Sequence, residues 1–202
     1  MKRKYTEAEI RQFLARKEDR RGEIPEAFDR FTKAILPELR DLKEGICRNN
    51  QNVYQLVNAA NLSAANAITR TYNTKLGLFW ERIADLAPNV VSPEIDLGYK
   101  LPEVDVIVLN QGDGQLYYTQ LKTQKNTLTG SQSGRTVQEL GRYRYHWFVA
   151  CIDTNCASTM PRALNRLVGK QFWEKIGIDY EWEILPNLEK SVQTVETLLS
   201  SR

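Results

Sequence analysis

The stretch that most constrains the fold lies near the middle of the chain. Val104-Asp105-Val106-Ile107-Val108-Leu109 is rich in β-branched residues, and Leu116 to Thr123 returns as a second extended run. Between them stands Asn110-Gln111-Gly112-Asp113-Gly114. Two glycines beside Asn and Asp supply the positive-φ positions that a tight reversal needs. Strand, turn and strand in succession predict an antiparallel hairpin. Such a hairpin excludes a purely helical fold, and its apolar faces need cover.

That cover is legible on either side. Residues 1–87 carry helical periodicity. Thr6-Glu7-Ala8-Glu9 has the form of a capping box, and Ile10, Phe13 and Leu14 follow at helical spacing. Pro25 to about Glu44 predicts a second helix, with Phe28, Phe31, Ile35, Leu39 and Leu42 as its stripe and Pro37 as a kink or break. Asn49 to Asn52 is a polar interruption. Residues 53–70 predict a third helix and residues 74–87 a fourth, ended by Pro88-Asn89. The character changes at Val90. The expected succession is a short strand at Val90-Val91, the hairpin, a polar loop over 124–134, a short helix over 137–144 and a buried strand over 146–153. A helix over 160–176, a strand over 179–185 with Tyr180, Trp182 and Ile184 alternating, and an amphipathic helix over 188–199 complete it. The predicted fold class is α/β (α+β): a mixed sheet flanked by helices. Residues 1–72 form a helical part packed on a core of residues 73–202, in one compact unit. Phe79, Trp80, Trp147, Phe148, Phe172 and Trp173 are expected in the core.

Composition removes several classes. A chain of 202 residues, 42% hydrophobic and 26% charged, is neither disordered nor too small to bury a core. Its longest clean apolar run, Trp147 to Ile152, is far short of the about 20 residues of a membrane span. The opening MKRKYTEAEI has no apolar stretch of the secretory kind, so a cytoplasmic protein is expected. Cys47, Cys151 and Cys156 have no metal-binding spacing and are expected as free thiols. One histidine, His146, excludes a two-His zinc site or an HExxH protease, and its place at the head of an apolar run suits a structural role. No phosphate-binding glycine loop is present, so no nucleotide cofactor is expected. Net charge is only +3. Lys122, Lys125, Arg135, Arg142 and Arg144 against Glu139, five cations and one carboxylate, place +4 within residues 122–144. That suits contact with a polyanion.

One group of residues carries chemistry. Gln120 and Lys122 alternate onto the same face of the second hairpin strand, and Asp105 lies on the first. Charged groups on a sheet otherwise built for burial need a reason. About 24 residues before Asp105, Glu81 interrupts the apolar helix Leu76-Gly77-Leu78-Phe79-Trp80-Glu81-Arg82-Ile83. The order Glu81, Asp105, Gln120-Leu121-Lys122 resembles the PD-(D/E)xK nuclease superfamily, in particular its type II restriction endonucleases. The likeness covers residues 76–152. Two positions depart from the pattern: Gln120 stands for the usual acid, an exchange known in the superfamily, and Pro102 stands three residues before Asp105.

The resemblance implies a restriction-endonuclease-like mixed sheet and Mg²⁺-dependent hydrolysis of DNA phosphodiesters, with Mn²⁺ able to substitute. Asp105, Gln120 through its side-chain oxygen and the Leu121 backbone carbonyl would hold the metal, with Glu81 and Glu103 as further ligands, and Asp96 as a weaker substitute for Asp105. Lys122 would attend the attacking water. The polar segment after Lys122 contains side chains that match base edges. Lys125, Asn126, Gln132 and Arg135 are the expected base readers, and Arg142 and Arg144 the expected phosphate contacts. Double-stranded DNA is the implied partner, and two symmetric sites favour a homodimer. A repair, junction or transposon-end nuclease of the same superfamily, and a non-catalytic DNA-binding protein on the same fold, are the alternatives.

Overall fold

The computed structural model describes residues 5–44, 60–125, 131–154 and 160–200. Its helices are α1 (Glu7–Leu14), α2 (Ile24–Lys43), α3 (Ala60–Ala84), α4 (Ser131–Leu140), α5 (Lys170–Lys175) and α6 (Leu185–Ser200). Its strands are β1 (Val90–Val91), β2 (Val106–Leu109), β3 (Leu116–Lys122), β4 (His146–Ala150) and β5 (Arg166–Val168). The sheet order is β1-β2-β3-β4-β5. The first three strands are antiparallel, and β4 and β5 continue parallel to β3. This is the mixed α+β architecture with a helical N-terminal part that the hairpin and the flanking periodicities predict.

The sheet divides two cores. Val106, Val108, Leu121, Trp147 and Val149 face one side, where α2, α3 and α5 bring Phe28, Leu39, Phe79, Trp80, Ile83, Phe172 and Trp173. Ile107, Leu116, Phe148 and Ala150 face the other, against Ile10 and Leu14 of α1 and Leu140 of α4. All six aromatics expected in the core are buried. The capping box of α1 is formed: Thr6 Oγ1 accepts from Glu9 N–H at 3.3 Å, and Thr6 N–H donates to Glu9 Oε2 at 2.8 Å. His146 is structural. Its Nδ1 meets Tyr143 O at 2.7 Å and its Nε2 accepts from Asn165 N–H at 3.4 Å. Among the described residues no helix is long and apolar enough to cross a membrane.

Several local expectations are corrected. The helices over 53–70 and 74–87 are one helix, α3, where described; it runs through the 72/73 boundary, and residues 53–59 lie outside the described residues. α2 continues through Pro37. The loop over 124–134 ends early, because α4 starts at Ser131 and stops at Leu140 rather than spanning 137–144. The buried strand expected over 146–153 stops at Ala150.

The helix over 160–176 is instead β5 followed by α5. Pairing decides this. Phe148 N–H donates to Asn165 O and Gly169 N–H to Ala150 O, both at 2.8 Å, which extends the sheet at the expense of local helix preference. Gly169 turns the chain with φ +46, where a Cβ would stand 3.0 Å from Asp153 Cβ. The strand over 179–185 is a single π-helical turn, Tyr180–Ile184, that leads into α6. Asp179 caps it, accepting from Glu181 and Trp182 N–H at 2.9 and 3.0 Å. Tyr180 and Ile184 are buried while Trp182 is 80% exposed, an i, i+4 pattern rather than alternation.

Candidate functional site

A cleft of about 410 Å³ opens where β2 begins and β3 ends, on the α1 and α4 side of the sheet. Glu81, Glu103, Asp105, Gln120 and Lys122 all line it, with Arg135 and Lys100 at its polar wall and Leu78, Pro93 and Pro102 at its apolar one. The antiparallel register sets Val106 opposite Thr119, which puts Asp105 beside Gln120. Asp105 N–H donates to Thr119 O at 2.9 Å. Its carboxylate accepts the Leu121 N–H at 2.7 Å. N–H and C=O of one strand residue point to the same side, so the Leu121 carbonyl faces Asp105 too. Glu81 reaches the cleft from α3, and its Oε1 accepts from Ser92 Oγ at 2.5 Å.

The electrostatics are those of a site short of positive charge. Burial pushes the Asp105 carboxyl above the usual range. The Leu121 N–H and the Lys122 ammonium pull it down, and Glu103 pushes it up. Burial raises Glu81 as well; the Ser92 hydroxyl opposes this and the charge of Asp105 adds to it. Among the described residues the Lys122 ammonium has no hydrogen bond or ion pair, so its three donors remain for a ligand.

Glu103 is the strained member. Leu101-Pro102-Glu103-Val104 is a β-turn closed by Val104 N–H to Leu101 O at 3.3 Å, with Pro at the second position. Glu103 takes φ +55 at the third, where glycine is usual. A non-glycine residue there costs about 1–2 kcal/mol. The carboxylate that this backbone places in the cleft meets three side chains. Its Oε2 accepts from Gln120 Nε2 and, at 3.0 Å, from Thr136 Oγ1; its Oε1 meets Arg135 Nε at 3.4 Å. Gln120 is 3% exposed, and among the described residues its Oε1 has no hydrogen-bond partner.

The predicted nucleic-acid contacts do not converge on this cleft as a group. Arg135 lines it from α4, with its side chain 70% exposed. Lys125 is held elsewhere: its Nζ contacts Asp153 at 2.5 Å and donates to Thr154 O at 2.9 Å. Arg142 pairs with Glu139 at 2.7 Å, and Arg144 lies over the Tyr145 ring at 5.3 Å. Both precede β4, at the opposite end of the β3–β4 ladder, roughly 15–20 Å along the strand direction from Lys122. Asn126 lies outside the described residues, and for Gln132 only the helical backbone of α4 is described. The +4 stretch is therefore divided among several places in the fold.

Sequence reasoning missed Ser92, Lys100 and Thr136, which have no signature of their own. It also missed a second acidic cluster beside the first. Lys17, with its side chain 9% exposed, contacts Asp85 at 2.5 Å, Asp96 at 3.0 Å and Val90 O at 2.7 Å. Asp96 is thereby committed to Lys17, not available in place of Asp105. Ser92 joins the clusters: its N–H donates to Asp85 and Asp96 at 3.2 and 3.1 Å, and its hydroxyl to Glu81.

No protein-family model matches this chain, and no curated protein matches it. The functional reading therefore rests on the residues of the cleft. Among the described residues no three His, Cys, Asp or Glu side chains form a ready-made metal group. The oxygens in and beside the cleft are those of carboxylates, the Gln120 amide and, next to Asp105, the Leu121 backbone carbonyl. Such hard oxygens suit Mg²⁺, which keeps several waters and needs only one or two carboxylates from the protein. The unpartnered Gln120 oxygen fits a ligand position of that kind.

Proposed function

We propose that this protein is a Mg²⁺-dependent endonuclease of double-stranded DNA, of the type II restriction kind. The observation that carries the reading is the convergence of Asp105, Gln120 and Lys122 of the hairpin with Glu81 of α3 on one cleft, beside a buried Gln120 carbonyl oxygen that has no partner among the described residues. Asp105, Gln120 Oε1 and the Leu121 carbonyl would hold the cation, and Glu81 would accept hydrogen bonds from its waters. Bound Mg²⁺ supplies charge that offsets the negative charge developing on the phosphodiester. Lys122 donates hydrogen bonds from Nζ to the attacking water and to a phosphate oxygen, and its fixed charge favours the water's deprotonated form. Arg135 and Lys100, on the cleft wall, neutralise neighbouring phosphates. A homodimer would present two such clefts to the two strands.

The scattering of Lys125, Arg142 and Arg144 favours a second reading, a structure-selective nuclease with little base readout. One experiment separates them. Purified protein is incubated with phage-length duplex DNA and with a four-way junction, each with Mg²⁺ and with EDTA. Discrete Mg²⁺-dependent bands from the duplex support the restriction reading. Cutting of the junction alone supports the second. No cutting of either DNA with Mg²⁺ or Mn²⁺ overturns both.

A further inference from the structure

Gln120 stands where the nuclease pattern that this chain resembles has an acid, and the inference here rests on the metal-dependent reading of the cleft. A side-chain amide has two ends, and Glu103 decides which way they point. A carboxylate only accepts hydrogen bonds, so it holds Nε2 of Gln120 toward itself. Oε1 is turned the other way. It is buried, and among the described residues it has no partner. Buried polar atoms without partners are uncommon, and each one asks for a partner from outside the chain. Both oxygens of Glu103, by contrast, already meet groups of the chain. Gln120 and Thr136 take its Oε2, and Arg135 lies against its Oε1. Its backbone is held in the left-handed region by the turn after Pro102.

From these contacts we infer that Glu103 is a positioning residue and not a ligand. It locks the Gln120 amide so that a neutral carbonyl oxygen stays free for a divalent cation that Asp105 would also hold. Thr136 of α4 holds Glu103 in that role. A negative charge stands one hydrogen bond behind this oxygen, on Glu103. Gln120 is then a working ligand rather than a lost one, and α4 is tied to the metal site through Thr136 and Arg135.

The test needs no DNA. Mn²⁺ alone is titrated into the full-length, metal-free protein, and the free ion is read by electron paramagnetic resonance. The wild type is expected to bind, and Asp105→Ala to abolish binding. Glu103→Ala is expected to weaken Mn²⁺ binding about ten- to a hundredfold, the usual effect of losing a residue that orients a ligand, and Gln120→Leu, which removes the ligand atom, at least as much. The decisive variant is the exchange Glu103→Gln with Gln120→Glu, which keeps size, net charge and the hydrogen bond between the two. Affinity equal to or above wild type is expected. An exchange variant that binds Mn²⁺ about tenfold or more weaker than wild type would show Glu103 to be the ligand and overturn the inference. Unchanged affinity in Gln120→Leu would overturn it equally. A wild type that binds no Mn²⁺, or binding indifferent to Asp105→Ala, would sink the metal centre itself, a different failure. Both exchange substitutions are isosteric, so the test stands even where the alanine variant does not fold.

Discussion

Two acidic clusters share the end of the sheet, joined by Ser92, and they are built in opposite ways. Around Lys17 the acids have a cation of their own: Asp85 and Asp96 both contact one buried ammonium. In the cleft, among the described residues, Glu81 and Asp105 have no such partner, Lys122 acts only from a distance, and a buried carbonyl oxygen has no hydrogen bond. The first cluster ties the chain after α1 to the end of α3 and to β1. The second holds unbalanced charge within the fold and leaves it facing a cleft. The Lys17 cluster is also short of positive charge, with one ammonium for two carboxylates, but its groups are hydrogen-bonded to one another within the fold, whereas the cleft leaves an amide oxygen and an ammonium for a ligand.

The largest effect should come from Asp105. Asp105→Asn is expected to reduce Mg²⁺-dependent cleavage about a thousandfold or more, equivalent to about 4 kcal/mol, while DNA binding in Ca²⁺ persists. The same substitution should leave the melting temperature of the metal-free protein unchanged or higher, because it removes a buried charge yet keeps an acceptor for Leu121 N–H. A large fall in stability would assign Asp105 to structure.

Lys17→Met should do the reverse. Breaking a buried pair by removing one partner costs about 3–5 kcal/mol, which would lower the melting temperature by roughly 6–20 °C. Cleavage measured well below that temperature should stay near wild type. A shift below 2 °C, roughly the effect of an exposed pair, would remove the distinction between the clusters.

The pH dependence follows from Asp85. Burial, helped by Asp96, pushes its carboxyl up to about 7, against the pull of Lys17. A raised folded-state pKa gives stability that is fully present below the unfolded value, near 3.8, and lost as pH rises through about 7. Urea unfolding of the wild type should therefore lose stability across this window, and Asp85→Asn should flatten the loss. A slope unchanged in Asp85→Asn would assign it to other carboxyls.

The smallest effects concern the basic residues. Arg135→Ala is expected to weaken DNA binding and lower the salt slope by about one phosphate contact. Arg142→Ala and Arg144→Ala should change affinity less than about twofold, being distant from the cleft. Equal effects at all three would place DNA across the far end of the sheet.

Much of this was legible in the sequence where the cause is local. The hairpin was readable because turn glycines and β-branched runs act within a few residues. Asp105, Gln120 and Lys122 could be grouped because a strand's period of two and a tight hairpin fix who stands beside whom. β5 and the π-helical turn at Tyr180–Ile184 were not readable, because a sheet edge and a capping Asp179 overrode the periodicity there. The sequence by itself determined the hairpin, the apolar helix stripes and which polar residues of the hairpin stand side by side. Only the tertiary structure decided that Thr136 secures Glu103, that Glu103 orients Gln120, and that Lys17 rather than the cleft takes Asp96. These contacts join residues far apart in the chain, and their partners are chosen by the packing of whole elements, which no local pattern encodes.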